Sequence, residues 1–342
     1  MSERRRRIFS APGKLVVAGE YGVVEGKPAV VVAVDRRARI FVEAAQTWSF
    51  AAGPGATPVA ISEASSFVRA CFERVEAVCG LPGPCAVTAD TRAFAGAGGK
   101  YGLGSSAAVS VALVTALLAL CGRRERDLVF QVALAAHQQA QGGGSGIDVA
   151  ASVVGGALLY APPARLELVP IPPGGELVVA WSGASASTQD LVSAVASFWR
   201  DRPDRRVAFL SQSERCAEAV ASGLRAGRWE EVAAALRSNQ LLLVELGAEA
   251  EAGIDTPGLR RLVEAAARVH GAAKISGAGG GDCALSLAPV EVARRIRQEW
   301  SAQGLAVLDL AIDPRGAAEE LGAEPDLAPA TSTRGDRMYL TD

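Results

Sequence analysis

Apolar residues along the chain form short β-rich runs at first and longer helical runs later. Runs at Lys14–Ala18 and Ala29–Val34, separated by Gly22, Gly26 and Pro28, predict strands joined by turns. Residues 39–43 alternate and predict another strand. From Ser62 to Val78 the residues Phe67, Cys71, Val75 and Val78 recur at helical spacing, and Ala86–Ala89 predicts a strand. Ser105–Leu120 is apolar almost throughout and predicts a buried helix entered from a glycine loop at 96–104. Glu125–Gln141 predicts a helix that ends in Gly142-Gly143-Gly144-Ser145-Gly146. A helical segment at Asp148–Val154 and a strand at Ala157–Tyr160 follow.

The stretch 162–175 is rich in Pro and Gly and marks a domain boundary. Beyond it the pattern predicts a strand at Leu177–Trp181 and helices near 188–201, 207–225, 229–246 and 257–270. A glycine loop at 277–281 precedes an apolar run at Cys283–Leu287, a helix at Val290–Gln303 and a final strand at Ala306–Ile312. The expected class is α+β with two domains, residues 1–170 and 171–321. The polar segment 322–342 is expected to be a flexible tail. There is no internal repeat.

Composition narrows the function classes. With 342 residues, 49% hydrophobic and 21% charged, the chain can bury a sizeable core and is not a disordered protein. A net charge of -2 disfavours a basic nucleic-acid binder, and Arg4–Arg7 reads as a solvated tail. The arginines run straight into Ile8-Phe9-Ser10-Ala11-Pro12-Gly13, which breaks any signal-type apolar region. The apolar run Ala107–Leu120 falls short of the roughly 20 residues a membrane span needs. The expectation is a cytoplasmic protein with no membrane or nucleic-acid partner. Six cysteines without a Cys-x-x-Cys pair, and only two histidines, argue for reduced thiols and against zinc. Of the 35 basic residues only four are lysine, Lys14, Lys27, Lys100 and Lys274. In an arginine-biased chain, surviving lysines mark positions where a compact ammonium serves and a guanidinium does not.

Glycine concentrates beside Lys, Ser or Asp in several places. These are Pro12-Gly13-Lys14 running to Gly19-Glu20-Tyr21, Lys100-Tyr101-Gly102-Leu103-Gly104-Ser105-Ser106-Ala107-Ala108, Gly144-Ser145-Gly146-Ile147-Asp148, and Ser276-Gly277-Ala278-Gly279-Gly280-Gly281-Asp282. Glycines let a backbone approach an anion, and a helix start offers free N–H groups and a partial positive charge. The loop before Ser105 is therefore a candidate phosphate site, with Lys100 as a point charge and the serines as hydroxyl donors. The Walker pattern fails because Phe94 stands at its first glycine and Tyr101 follows Lys100. The dinucleotide pattern fails at Ala107 and at Asp282.

In this order and spacing the three main loops resemble the motifs of the GHMP kinase superfamily, over roughly residues 8–312. The resemblance implies an N-terminal ribosomal-S5-like α+β domain, a C-terminal ferredoxin-like α+β domain, and ATP and acceptor bound between them. It implies that Lys100, Gly102, Leu103, Gly104, Ser105, Ser106 and Ala107 bind ATP, that Ser106 reaches Mg²⁺, and that Lys14 and Asp148 are catalytic. Lys14, Glu20, Tyr21, Ser145, Gly146, Ser187, Thr188, Gly277, Ala278, Gly279 and Gly280 are the implied acceptor contacts. Gly19-Glu20-Tyr21, Lys100 ahead of the second motif, Ala136-His137 with Gly144–Ala151, and Trp181-Ser182-Gly183 with Ser185–Thr188 resemble the phosphomevalonate kinase branch. That branch implies a small-molecule acceptor, phosphomevalonate, and a monomer or homodimer. Mevalonate kinase, another small-molecule kinase of the superfamily, and a ligand sensor of the same fold are the alternatives.

In mevalonate kinases a metal-binding Glu stands eleven residues before the catalytic Asp; here that place is His137, read as a surface or core histidine. Asp148 also reads as a helix N-cap, compatible with a catalytic role. A phosphomonoester acceptor is largely dianionic near neutrality, so Asp148 is expected to orient Lys14 rather than act as a base. Arg92, Arg36 and Arg200 are candidates for the acceptor phosphate, and Lys274 is left outside the site.

Overall fold

The structure is a computed structural model that describes residues 6–163 and 165–320. The expected tail 322–342 lies outside the described residues. The chain runs through β1 (Arg7–Ala18), β2 (Ala29–Ala44), β3 (Ser49–Ala51), α1 (Ser66–Cys79), β4 (Cys85–Asp90), β5 (Ala95–Gly96) and β6 (Gly99–Lys100). It continues through α2 (Ser105–Leu120), α3 (Arg126–Gln141), α4 (Ile147–Val154), β7 (Ala157–Ala161) and β8 (Arg165–Leu168). The second half holds β9 (Gly175–Trp181), α5 (Thr188–Asp201), α6 (Pro203–Ala226), α7 (Trp229–Glu249), α8 (Pro257–Arg268) and β10 (Lys274–Ile275). It ends with β11 (Cys283–Pro289), α9 (Val290–Ala302), β12 (Ala306–Leu308) and β13 (Ala318–Glu320).

The first sheet has the order β13-β1-β2-β4-β3. The long β2 carries β7 beside Ala29–Val32 and β4 beside Arg39–Ala44 on the same edge. The run Ala29–Val34 is wholly buried because α2 and α4 cover one face while α6 packs on the other. The second sheet has the order β10-β11-β9-β12 and is antiparallel throughout. The α6–α7 pair is wedged between the sheets, α6 against β1 and β2, α7 against β10 and β11. Helix α2 is buried along nearly its whole length, as its all-round apolar sequence requires.

Several sequence expectations are corrected. The runs at 29–34 and 39–43 are one continuous strand, not two. The polar Asp35-Arg36-Arg37 breaks the pattern, yet Arg37 is buried and ion-paired to Asp313, with Nε donating to Ser10 Oγ at 2.9 Å. Arg6 and Arg7, read as part of a solvated tail, lie on the sheet. Arg6 stacks 4.1 Å over Phe41, and Arg7 pairs with Glu319 at 2.7 Å. The segment 162–175 is not only linker, because β8 pairs with β7 in the first sheet. The final strand is shorter than 306–312. Residues 318–320 then return to the first sheet as β13, antiparallel to Ile8–Ser10 of β1.

Candidate active site

A cleft of about 660 Å³ opens between the halves. Lys14 enters it from β1. Its backbone N–H donates to Leu103 O at 2.8 Å, which ties the strand to the glycine loop. A Cβ at Gly13 would sit 2.7 Å from Leu103 O, so only glycine allows that approach. Gly104 caps α2 in a left-handed conformation at φ 76° and turns the helix start into the cleft. All seven residues expected at the ATP, Lys100, Gly102, Leu103, Gly104, Ser105, Ser106 and Ala107, line this cleft.

Lys14 Nζ lies 3.5 Å from Asp148 Oδ1. Asp148 stands in the first turn of α4, whose N-cap is Gly146, so the expectation that Asp148 is the cap is corrected. The carboxylate is left facing the cleft. The turn before α4 is held by Tyr160, whose hydroxyl donates to Ser145 O at 2.7 Å, and by Gln138, which donates to Gly144 O at 3.0 Å. Ser152 Oγ donates to Pro12 O at 2.8 Å and fixes α4 against β1.

The remaining expected residues divide. Tyr21, Ser145, Gly146, Thr188, Gly277 and Ala278 line the cleft. Glu20 borders it, but its carboxylate accepts from Lys274, from Asn239 Nδ2 at 3.1 Å and from Gly277 N at 3.4 Å. Gly279 and Gly280 turn away and pack on Ile254 and Leu191, and Ser187, the N-cap of α5, is outside the lining. Arg36, Arg92 and Arg200 are not among the lining residues either. Arg36 donates to Asp309 O, and Arg92 pairs with Asp90 at 2.7 Å.

The sequence reading missed two groups. Asp282, at φ 58°, sits against Gly102 and closes the loop from the second half. Burial raises its carboxyl above the usual range, opposed by Lys14 and Lys100. Its backbone strain marks it as a functional candidate, a signal absent from sequence. His137 lines the cleft beside Phe67, with ring centroids 5.2 Å apart. Burial lowers its pKa, with Asp148 opposing and Lys14 reinforcing. Burial also lowers Lys100, opposed by Asp282.

Comparison with known proteins settles the family. The models described as GHMP kinases N terminal domain and GHMP kinases C terminal match residues 67–156 and 220–305. The chain belongs to the GHMP kinase superfamily. This GHMP kinase, a phosphotransferase by family, is 34% identical to the phosphomevalonate kinase of Streptomyces sp. (strain CL190), over 90% of this chain and 97% of that relative. It is 32% identical to the mevalonate kinase of Thermococcus sibiricus, over 83% of this chain and 90% of the relative. The Streptococcus pneumoniae phosphomevalonate kinase in complex with phosphomevalonate and AMPPNP shares the GHMP kinase fold. Its TM-score is 0.79 at 23% identity, over 89% of this chain and 99% of that one.

Proposed function

We propose that this GHMP kinase transfers the γ-phosphoryl group of ATP to phosphomevalonate, giving diphosphomevalonate and ADP in the mevalonate pathway. The observation that carries the proposal is the convergence of three helix starts on one cleft. Ser105 and Ser106 open α2, Ile147 and Asp148 open α4, and Thr188 opens α5, all in the lining with Lys14 and Lys100. Helix N-termini favour anions. Three of them suit three anionic groups, a nucleotide triphosphate, an acceptor phosphate and an acceptor carboxylate. The similarity to a phosphomevalonate kinase over nearly its full length supports the same acceptor.

Phosphoryl transfer needs alignment and charge neutralisation more than covalent help. In the proposed arrangement the Gly102–Ser106 amides hold the nucleotide phosphates and Lys100 adds a point charge. Lys14 meets the charge moving between donor and acceptor, and Asp148 orients Lys14. The acceptor phosphate, with a second pKa near about 6, needs no general base. Ser145, Gly146, Thr188, Gly277 and Ala278 bind the acceptor. Among the described residues no three His, Cys, Asp or Glu side chains form a metal cage. That fits Mg²⁺ arriving with nucleotide, since this ion uses one or two protein oxygens and phosphate oxygens. Ser106 Oγ would hold it, and it would neutralise phosphate charge. His137, a nitrogen donor, does not suit that hard cation. In this reading the described residues up to 170 make up the nucleotide half and those from 171 to 320 the second half, with β13 crossing back.

The test is ADP release by purified protein with Mg-ATP and, separately, phosphomevalonate, mevalonate and galactose. Turnover with phosphomevalonate is expected. Turnover with mevalonate alone rejects the acceptor assignment in favour of a mevalonate kinase, in keeping with the 32% identity to one. ATP binding without turnover on any acceptor points to a sensor instead.

A further inference from the structure

One cluster of buried polar groups that this mechanism leaves unused lies beside the cleft. Lys274 is wholly buried, and its ammonium donates to Glu20 and to Ile275 O. Glu20 also accepts from Asn239 Nδ2 at 3.1 Å and from Gly277 N at 3.4 Å. Asn239 Oδ1 accepts from Gly19 N at 3.1 Å. The neighbouring bonds continue the pattern. Ser276 Oγ accepts from Val16 N at 3.0 Å and donates to Val16 O at 3.1 Å, and the Tyr21 hydroxyl donates to Ala278 O at 2.6 Å. Residues 274–278 are thus gripped by residues 16–21, across more than 250 positions of sequence.

A buried ion pair is weak evidence for net stability, because desolvation offsets its attraction. A pair retained here is better explained by the geometry it fixes. The gripped segment opens the third glycine loop, and its Ser276, Gly277 and Ala278 line the cleft. Its glycine backbone has little stiffness of its own, with Gly277, Gly279 and Gly280 all at positive φ.

We propose that Glu20, Lys274 and Asn239 are positioning residues that anchor the Ser276–Ala278 backbone of the second half to the first half, so that its amides meet the phosphate groups in the cleft. The proposal rests on the kinase reading above for its catalytic consequence, but the anchoring itself can be read without substrate. It also reassigns Glu20 from acceptor contact to anchor.

The experiment compares Glu20→Gln, Lys274→Met and the double variant by thermal unfolding, by hydrogen–deuterium exchange of peptides covering 274–280, and by kinetics with Mg-ATP and phosphomevalonate. Each single variant strands a buried charge or dipole and is expected to lower the unfolding midpoint. The double variant removes both charges and is expected to recover most of the midpoint. It should still exchange faster at 276–280 and lose about 10-fold or more in kcat, because small misplacements of positioning groups are costly. Its KM for ATP should stay within about twofold, since the α2 loop is held separately. A double variant with wild-type loop exchange, or with wild-type kcat, overturns the proposal. Should the double variant fail to fold, Glu20→Asp keeps the charge and shortens its reach to Gly277 N and Lys274. Faster exchange at 277–279 is then expected, and unchanged exchange overturns the anchor. Wild-type protein inactive on both phosphomevalonate and mevalonate sinks the kinase reading alone, and loop exchange still decides the anchor.

Discussion

Gly104→Ala separates the cost of a strained backbone from the cost of moving Lys14, the lysine proposed to be catalytic. Gly104 has φ 76°, so an alanine there suffers left-handed strain of about 1 kcal/mol. Its Cβ would also lie 3.0 Å from Lys14 Cε and 3.1 Å from Lys14 Cγ, so the lysine stem has to give by a few tenths of an ångström. A misplacement of about 1 Å can cost about 100-fold, so this shift should lower kcat by about 4- to 10-fold. Gly122→Ala is the matched control. It has φ 77° and nothing within 4 Å of the added methyl, at the far end of α2. Both variants should lose about 1 kcal/mol in urea unfolding, and only Gly104→Ala should lose kcat in an ADP-release assay. Wild-type kcat in Gly104→Ala, or an equal loss in Gly122→Ala, refutes the claim that the seat of Lys14 limits the reaction.

Other outcomes follow from the same geometry. Asp148→Asn removes the partner of Lys14 and should lower kcat at least about 10-fold, with ATP affinity by titration within about twofold. His137 is held neutral by burial, with a folded pKa below its unfolded value. Its contribution to stability is therefore present above the unfolded pKa of about 6.5 and lost as pH falls through the folded pKa. Urea midpoints between pH 7.5 and pH 5 should fall more steeply in wild type than in His137→Gln. Arg37→Met strands Asp313 and should cost about 3–5 kcal/mol in unfolding, and Arg37→Lys should not rescue it because the fork to Ser10 and Gly316 is lost.

Much of the fold was legible where one physical signal dominated. Helix α2 matches its predicted limits because an all-apolar run begins at a glycine loop and stops where Gly122 and Arg123 follow. The long β2 was not, because the polar triplet at 35–37 finds its partners far along the chain, Asp35 at Ala311, Arg36 at Asp309 and Arg37 at Asp313. The site shows the same division. Glycine loops and the Lys14–Asp148 pairing were readable through their motifs. Lys274 was set aside because nothing local announces that its counter-ion is Glu20. The arginines favoured for the acceptor phosphate were chosen by charge alone, and local partners take two of them, Asp309 O holding Arg36 and Asp90 holding Arg92.

The convergence of helix starts has a bearing on how such a protein can change. Every residue type but proline offers an amide N–H at a helix entrance, so the proposed grip on phosphate depends on chain shape, its glycines included, more than on side-chain chemistry. On the proposed reading, discrimination between one acceptor and another rests on a handful of lining groups, such as Thr188 and His137. A scaffold divided in this way can take up a new alcohol or phosphate acceptor by altering those few positions, leaving the donor side untouched.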